Sequence, residues 1–204
     1  MQLKICGIKY HEHLLVCLQN GVEYIGINFC KNSKRYAGNG DILQKINNHY
    51  EKSTTKYVAI LKDNTQEELE KIVSLYNIDI LQIYDDNLLD FAQKFKNQYE
   101  IWHAKSAEKL VNNSEKFQES AMLLIDSNNP GGGQKFSNNI TEFTNKLGFN
   151  FGIAGGINAK NILQFKEKYP RAKLLDLASG VEENGEFSKK KMEEICVLFY
   201  NHGR

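Results

Sequence analysis

Two side chains that can move protons stand at the ends of apolar runs in this chain. Cys6 closes the first run, in KICGIK, and Asp126 closes the run AMLLID that precedes SNNPGGGQ. At a strand terminus either could face a ligand, the thiol as a base once ionised and the carboxyl as an acid while it holds its proton. Each also has a structural use. A lone Cys in an apolar run serves as a small buried residue, and an Asp ahead of Pro130-Gly131-Gly132-Gly133 can cap the turn those glycines bend. Arg35, in the polar loop KNSKRYAGNG, carries a planar donor fork suited to a carboxylate or a phosphate, or simply to solvent.

The strings FGIAGGINAKNI and LLDLASGVEENG are the strongest local signal for a ligand. Gly155 and Gly156 let the backbone approach an anion closely, and Ser179 and Gly180 open a segment whose amino-terminal dipole favours negative charge. A phosphate group is the expected guest.

These residues need elements to position them. Short apolar, β-branched runs alternate with longer amphipathic segments, the pattern of repeated strand-helix units and a parallel sheet. Eight strands are predicted: Leu3 to Cys6, Tyr24 to Phe29, Tyr57 to Leu61, Asp79 to Ile83, Glu100 to Ala104, Ala121 to Asp126, Asn150 to Ala154 and Lys173 to Leu177. Thr65 to Tyr76 reads as a helix capped by Thr65 with Glu68 as its capping-box partner, and with Leu69, Ile72, Val73 and Tyr76 on one face. Helices are also predicted over Asn87 to Phe95, Asn158 to Tyr169 and Ser188 to Phe199, the last capped by Ser188. Eight units within residues 1–204 favour closure into a single-domain (β/α)8 TIM barrel over an open doubly wound sheet. In both architectures ligands gather at the carboxyl ends of the strands, where Cys6, Asp126 and the glycine pairs fall.

Composition narrows the partners. The formal net charge is +1 and the lysines are dispersed among acidic residues, so no basic stripe awaits a nucleic acid. No run approaches the roughly 18 apolar residues of a membrane span, and MQLKICGIKY lacks the apolar core of a secretory signal, which predicts a cytoplasmic protein. Cys6, Cys17, Cys30 and Cys196 show no CxxC spacing, so neither a zinc site nor a disulfide framework is expected.

Read together, KICGI, GINFCKNSKR, LLIDSNNPGGG, IAGGINAKNI and DLASGVE resemble, in order and along nearly the whole chain, the phosphoribosylanthranilate isomerases of tryptophan biosynthesis. The resemblance implies a cofactor-free and metal-free Amadori rearrangement of a small phosphoribosyl substrate on a (β/α)8 barrel. A monomer or homodimer is expected, and exposed apolar residues on an outer helix would favour the dimer. The resemblance assigns Asp126 as the general acid that protonates the furanose ring oxygen and Cys6 as the base that takes the proton from the second sugar carbon. Such an acid needs burial or a negative neighbour to hold its proton, whereas the thiol, ordinarily near about 8.5, needs only modestly electropositive surroundings.

The resemblance further implies that Arg35 pairs with the anthranilate carboxylate, and that Gln82 and Tyr84 contact the substrate. Asp176 would lie beside the anthranilate part or support the acid, while Gly155, Gly156, Ser179 and Gly180 would hold the single phosphate. LQIYDDN stands where the family usually has Gln-Leu-His-Gly, so Tyr84 replaces the His and Asp85 the Gly, and Tyr84 can still offer a ring face or a hydroxyl. The usual Thr or Ser of the turn after Asp126 gives way to Pro130-Gly131-Gly132-Gly133, and Phe-Asp-Trp to Phe136-Ser137-Asn138. Two other functions fit the same barrel. One is a phosphate-sugar-binding protein without turnover, and the other is a different sugar-phosphate isomerase or aldolase using Lys105 as a Schiff-base lysine.

Overall fold

A computed structural model describes residues 1–48, 54–110, 120–126 and 138–201. Its main sheet comprises β1 (Gln2–Cys6), β2 (Tyr24–Asn28), β3 (Lys56–Leu61), β4 (Ile80–Ile83), β5 (Glu100–Ser106), β6 (Met122–Asp126), β7 (Phe151–Ala154) and β8 (Leu174–Leu177). The strands neighbour one another in chain order and close into a barrel. β3, β4, β7 and β8 are buried nearly end to end, as strands covered on both faces must be. The predicted strands are therefore found, with ends displaced by one or two residues.

The helices are α1 (His11–Gln19), α2 (Ile42–Lys45), α3 (Gln66–Leu75), α4 (Asp86–Ala92), α5 (Ala107–Leu110), α6 (Asn138–Lys146), α7 (Ile162–Lys168) and α8 (Lys189–Asn201). α3 carries the expected capping box, Thr65 accepting from the Glu68 N–H while the Glu68 carboxylate accepts from the Thr65 N–H. α7 begins four residues later than its periodicity suggests. Asn158 and Asn161 divert the backbone first: the Asn158 N–H donates to Asn161 Oδ1 at 2.8 Å and the Lys160 N–H donates to Asn158 Oδ1 at 2.9 Å. Such short-range amide bonds compete with the helical ladder. A two-stranded ribbon, β9 (Glu182–Glu183) and β10 (Glu186–Phe187), precedes α8. Among the described residues no helix is long and apolar enough to cross a membrane.

The chain divides into two compact units, one of Ile5–His103 and one of Met1–Lys4 with Ala104–Arg204. In the first, parallel register lines up Asn28, Ile60, Gln82 and Trp102, which puts their side chains on one face of β2 to β5. The Tyr24 and Trp102 rings meet edge-on at 5.1 Å on that face. His103 points the other way, to the helix side, with Nε2 3.2 Å from Asp86 at the start of α4. In the second unit, Asp126, Ala154 and Asp176 share one row, and Leu124, Gly152 and Leu174 the row below. Each fully buried Leu or Ile of these rows contributes about 1.5–3 kcal/mol, so the register that buries them is strongly specified.

Candidate active site

Cys6 ends β1 half-buried, and the turn after it is built around Gly7. The Gly7 and Ile8 N–H groups both donate to the Gly26 carbonyl, at 2.8 and 3.1 Å. Gly7 has a positive φ of 85°, and a Cβ there would overlap the Cδ of Arg35. The aliphatic stem of Arg35 thus lies directly on Gly7, one residue from the thiol. The other cysteines are placed for packing. Cys17 and Cys196 are buried in α1 and α8, and buried Cys30 sets its sulfur 3.6 Å from the Ile60 carbonyl oxygen. Burial is the main force pushing the Cys30 thiol above its ordinary range.

Two residues singled out in the sequence meet at the end of β4. Gln82 is fully buried and its Nε2 donates to the Tyr84 hydroxyl at 3.2 Å, both side chains lying on the same face at period two. The Gln82 carbonyl oxygen meets no donor among the described residues, an acceptor kept from water with capacity to spare. Asp85, in the place of the family's glycine, caps α4 by accepting from the Leu88 N–H at 2.9 Å. The change from Gly at this position thus has a local structural use.

In the second unit, Asp126 terminates β6 and Asp176 lies two strands away in the same row, with only Ala154 between them. Strand spacing puts their two backbone positions on the order of 9.5 Å apart. Asp176 is buried, and its Oδ2 is 2.8 Å from the Nζ of Lys4, which is completely buried. Lys4 escaped the sequence reading because a lysine in a short run reads as surface. The signal was present: Lys4 lies two residues before Cys6, and alternate residues of a strand share a face. The Pro130 to Gly133 turn and Phe136-Ser137 lie outside the described residues. Lys105 occupies the face of β5 that carries Ile101 and His103, opposite to that of Trp102.

The two glycine turns also belong to this unit. Gly155 and Gly156 both have positive φ, 96° and 68°. The Gly156 carbonyl accepts from the side-chain amides of Asn158 at 3.1 Å and Asn161 at 3.0 Å, which fixes the orientation of the peptide that follows. Ser179–Val181 forms a single 3₁₀ turn, and Gly180 leaves no room for a side chain against the Ile157 carbonyl. Gly156, Ser179 and Gly180 line a cleft of about 440 Å³ together with Asn158, Lys160, Lys191 and Glu194. The two lysines exceed the one carboxylate, so the cleft suits an anion. Lys160 and Lys191 were not anticipated, because a lysine near a helix start carries no distinguishing pattern. Among the described residues no cluster of His, Cys, Asp and Glu could hold a metal ion.

The fold and these strand ends define a (β/α)8 barrel with titratable groups at the carboxyl ends of its strands. Residues 3–197 match the model of the N-(5'-phosphoribosyl)anthranilate isomerase family, and the chain belongs to that family. It is 31% identical over 187 residues to N-(5'-phosphoribosyl)anthranilate isomerase of Leptospira interrogans, covering 90% of this chain and 86% of that protein. Among solved structures, phosphoribosyl anthranilate isomerase from Thermus thermophilus superimposes with a TM-score of 0.81 at 22% identity, covering 98% of this chain and 99% of the other. A phosphoribosyl anthranilate isomerase in complex with reduced 1-(o-carboxyphenylamino)-1-deoxyribulose 5-phosphate gives 0.79 at 18% identity, over 97% of each chain.

Proposed function

We propose that this chain catalyses the Amadori rearrangement of N-(5'-phosphoribosyl)anthranilate to the carboxyphenylamino-deoxyribulose phosphate in tryptophan biosynthesis. The observation that carries the reading is the Arg35 stem seated on Gly7, which puts a carboxylate-binding cation one residue from the thiol at the end of β1. In this mechanism Asp126 gives its proton to the furanose ring oxygen. The C1–O bond breaks as the amine lone pair forms the Schiff base. Cys6, as thiolate, then removes the proton from the second carbon, and the resulting enolamine tautomerises to the ketone.

Arg35 binds the anthranilate carboxylate. Gln82 offers its open carbonyl oxygen and Tyr84 its ring or hydroxyl to the substrate. Asp176, held by Lys4 in the row of Asp126, lies beside the anthranilate part or supports the acid. Gly155, Gly156, Ser179 and Gly180 grip the phosphate through backbone N–H groups, anchoring one end while acid and base work on the ribose. The reaction needs no cofactor, metal, nucleic acid or membrane, and the enzyme acts in the cytoplasm as a monomer or homodimer.

A fluorescence assay following the loss of phosphoribosylanthranilate tests the assignment. The unaltered chain turns over, while Cys6→Ser and Asp126→Asn each lose at least about a hundredfold in kcat. Equal rates in all three proteins would sink both roles. Binding of the reduced product analogue without any turnover in the unaltered chain would instead mark a phosphate-sugar-binding protein.

A further inference from the structure

Arg35 lies in a loop, yet its backbone is tied down from β2 by one side chain. Asn28, the last residue of β2, is half-buried on the face shared with Ile60, Gln82 and Trp102. Its Oδ1 accepts from the Cys30 N–H at 2.8 Å, and its Nδ2 donates to Ser33 Oγ at 3.1 Å. That same Ser33 oxygen accepts from the Arg35 N–H at 3.1 Å. Backbone bonds complete the turn, with the Ser33 N–H donating to the Cys30 carbonyl and the Tyr36 N–H to the Ser33 carbonyl, both at 3.0 Å. Tyr36 also bridges back to Asn28.

Both polar ends of the Asn28 amide are therefore spent on the loop. We propose that Asn28 is a positioning residue, which through Ser33 fixes Arg35 over Gly7 and so sets recognition of the carboxylate end of the substrate. The proposal rests on the isomerase reading for what Arg35 binds. A residue that only stabilised β2 would leave substrate discrimination unchanged. One that places Arg35 affects ligands with a carboxylate and spares those without.

The test compares Asn28→Ala, Ser33→Ala and Ser33→Thr on phosphoribosylanthranilate and on phosphoribosylaniline, made from ribose 5-phosphate and aniline and lacking the carboxylate. Asn28→Ala and Ser33→Ala each raise KM for the first substrate roughly tenfold with kcat within about twofold, a loss of ground-state and transition-state binding alike. Ser33→Thr, which keeps the hydroxyl, stays near the unaltered KM. The Asn28→Ala/Ser33→Ala pair is no worse than Asn28→Ala alone, as two members of one relay should behave. On phosphoribosylaniline all variants match the unaltered chain.

An equal KM rise on both substrates, a fall in kcat alone, or additive single effects would overturn the proposal. Thermal melts identify a variant that fails to fold, in which case the two Ser33 variants decide. An unaltered chain without turnover would refute the isomerase reading separately. Calorimetry with the reduced product analogue then tests Asn28: tenfold weaker binding in Asn28→Ala supports the proposal, and equal binding overturns it.

Discussion

Around Arg35 the proposed binding group is a side chain, and the loop that carries it is pinned by the Asn28 and Ser33 side chains in ordinary backbone conformations. Around Gly155-Gly156 and Ser179-Gly180 the proposed binding group is the backbone itself, in positive φ at the first pair and pressed against a neighbouring carbonyl at Gly180. A site made of side chains fails when atoms are removed. A site made of backbone fails when atoms are added. The contrast fits the proposed guests: a planar carboxylate is matched by a guanidinium fork, whereas a phosphate is well served by converging N–H groups that no side chain should crowd.

The largest effect tests whether the backbone-built half is independent of side chains. Lys4→Met leaves Asp176 buried without its cation and destabilises the protein by about 3–5 kcal/mol, lowering Tm by roughly 10 °C. Lys4→Met/Asp176→Leu recovers much of that loss. A single variant that melts with the unaltered chain would show that the pair matters little.

Next comes Gly180→Ala, where one methyl meets the Ile157 carbonyl. The overlap costs about 1–3 kcal/mol, and calorimetry shows the product analogue bound at least roughly tenfold more weakly. Unchanged affinity would mean that the phosphate seats elsewhere. Arg35→Lys keeps the charge but loses the fork, and weakens the same ligand by roughly tenfold with little change in Tm. A conservative replacement that bound equally well would reduce Arg35 to a point charge and blur the contrast.

Asn161→Ala removes one of two amides on the Gly156 carbonyl and costs about 0.5–1.5 kcal/mol in urea unfolding. The smallest effect is a pH dependence away from both loops. Burial, with the Asp79 charge beside it, pushes the Tyr57 hydroxyl up to about 12. Burial pushes the Cys30 thiol up as well. Both groups hold their protons more tightly folded than unfolded, so their contribution is complete below the ordinary thiol range and is lost as pH climbs toward 12. The urea midpoint should fall between about pH 9 and pH 11, and Tyr57→Phe should flatten the upper part of that fall. A flat profile in the unaltered chain would contradict the burial argument.

The strands and the barrel order were legible because period, β-branching and spacing all say the same thing. The Thr65 cap with Glu68 was legible for the same reason, since its chemistry lies within four consecutive residues. Less legible were partners distant in sequence. Lys4 meets Asp176 across 172 positions, and no local pattern announces such a pair. The start of α7 was misplaced because Asn158 and Asn161 have the spacing of a helix face but spend their amides on the turn before it. Asn28 was overlooked since a polar residue closing a strand has many uses, and only the geometry shows both its ends committed to one loop.

The exposure of the thiols has a practical consequence. Cys17, Cys30 and Cys196 are buried, and Cys6 is half-buried at the end of its strand. A maleimide or nitroxide reagent near neutral pH therefore meets one sulfur first, without any cysteine having to be engineered away. The unaltered chain carries its own attachment point for a fluorescent or spin label. Because that point is the proposed base, the speed of labelling measures the fraction of sites that a ligand has left empty.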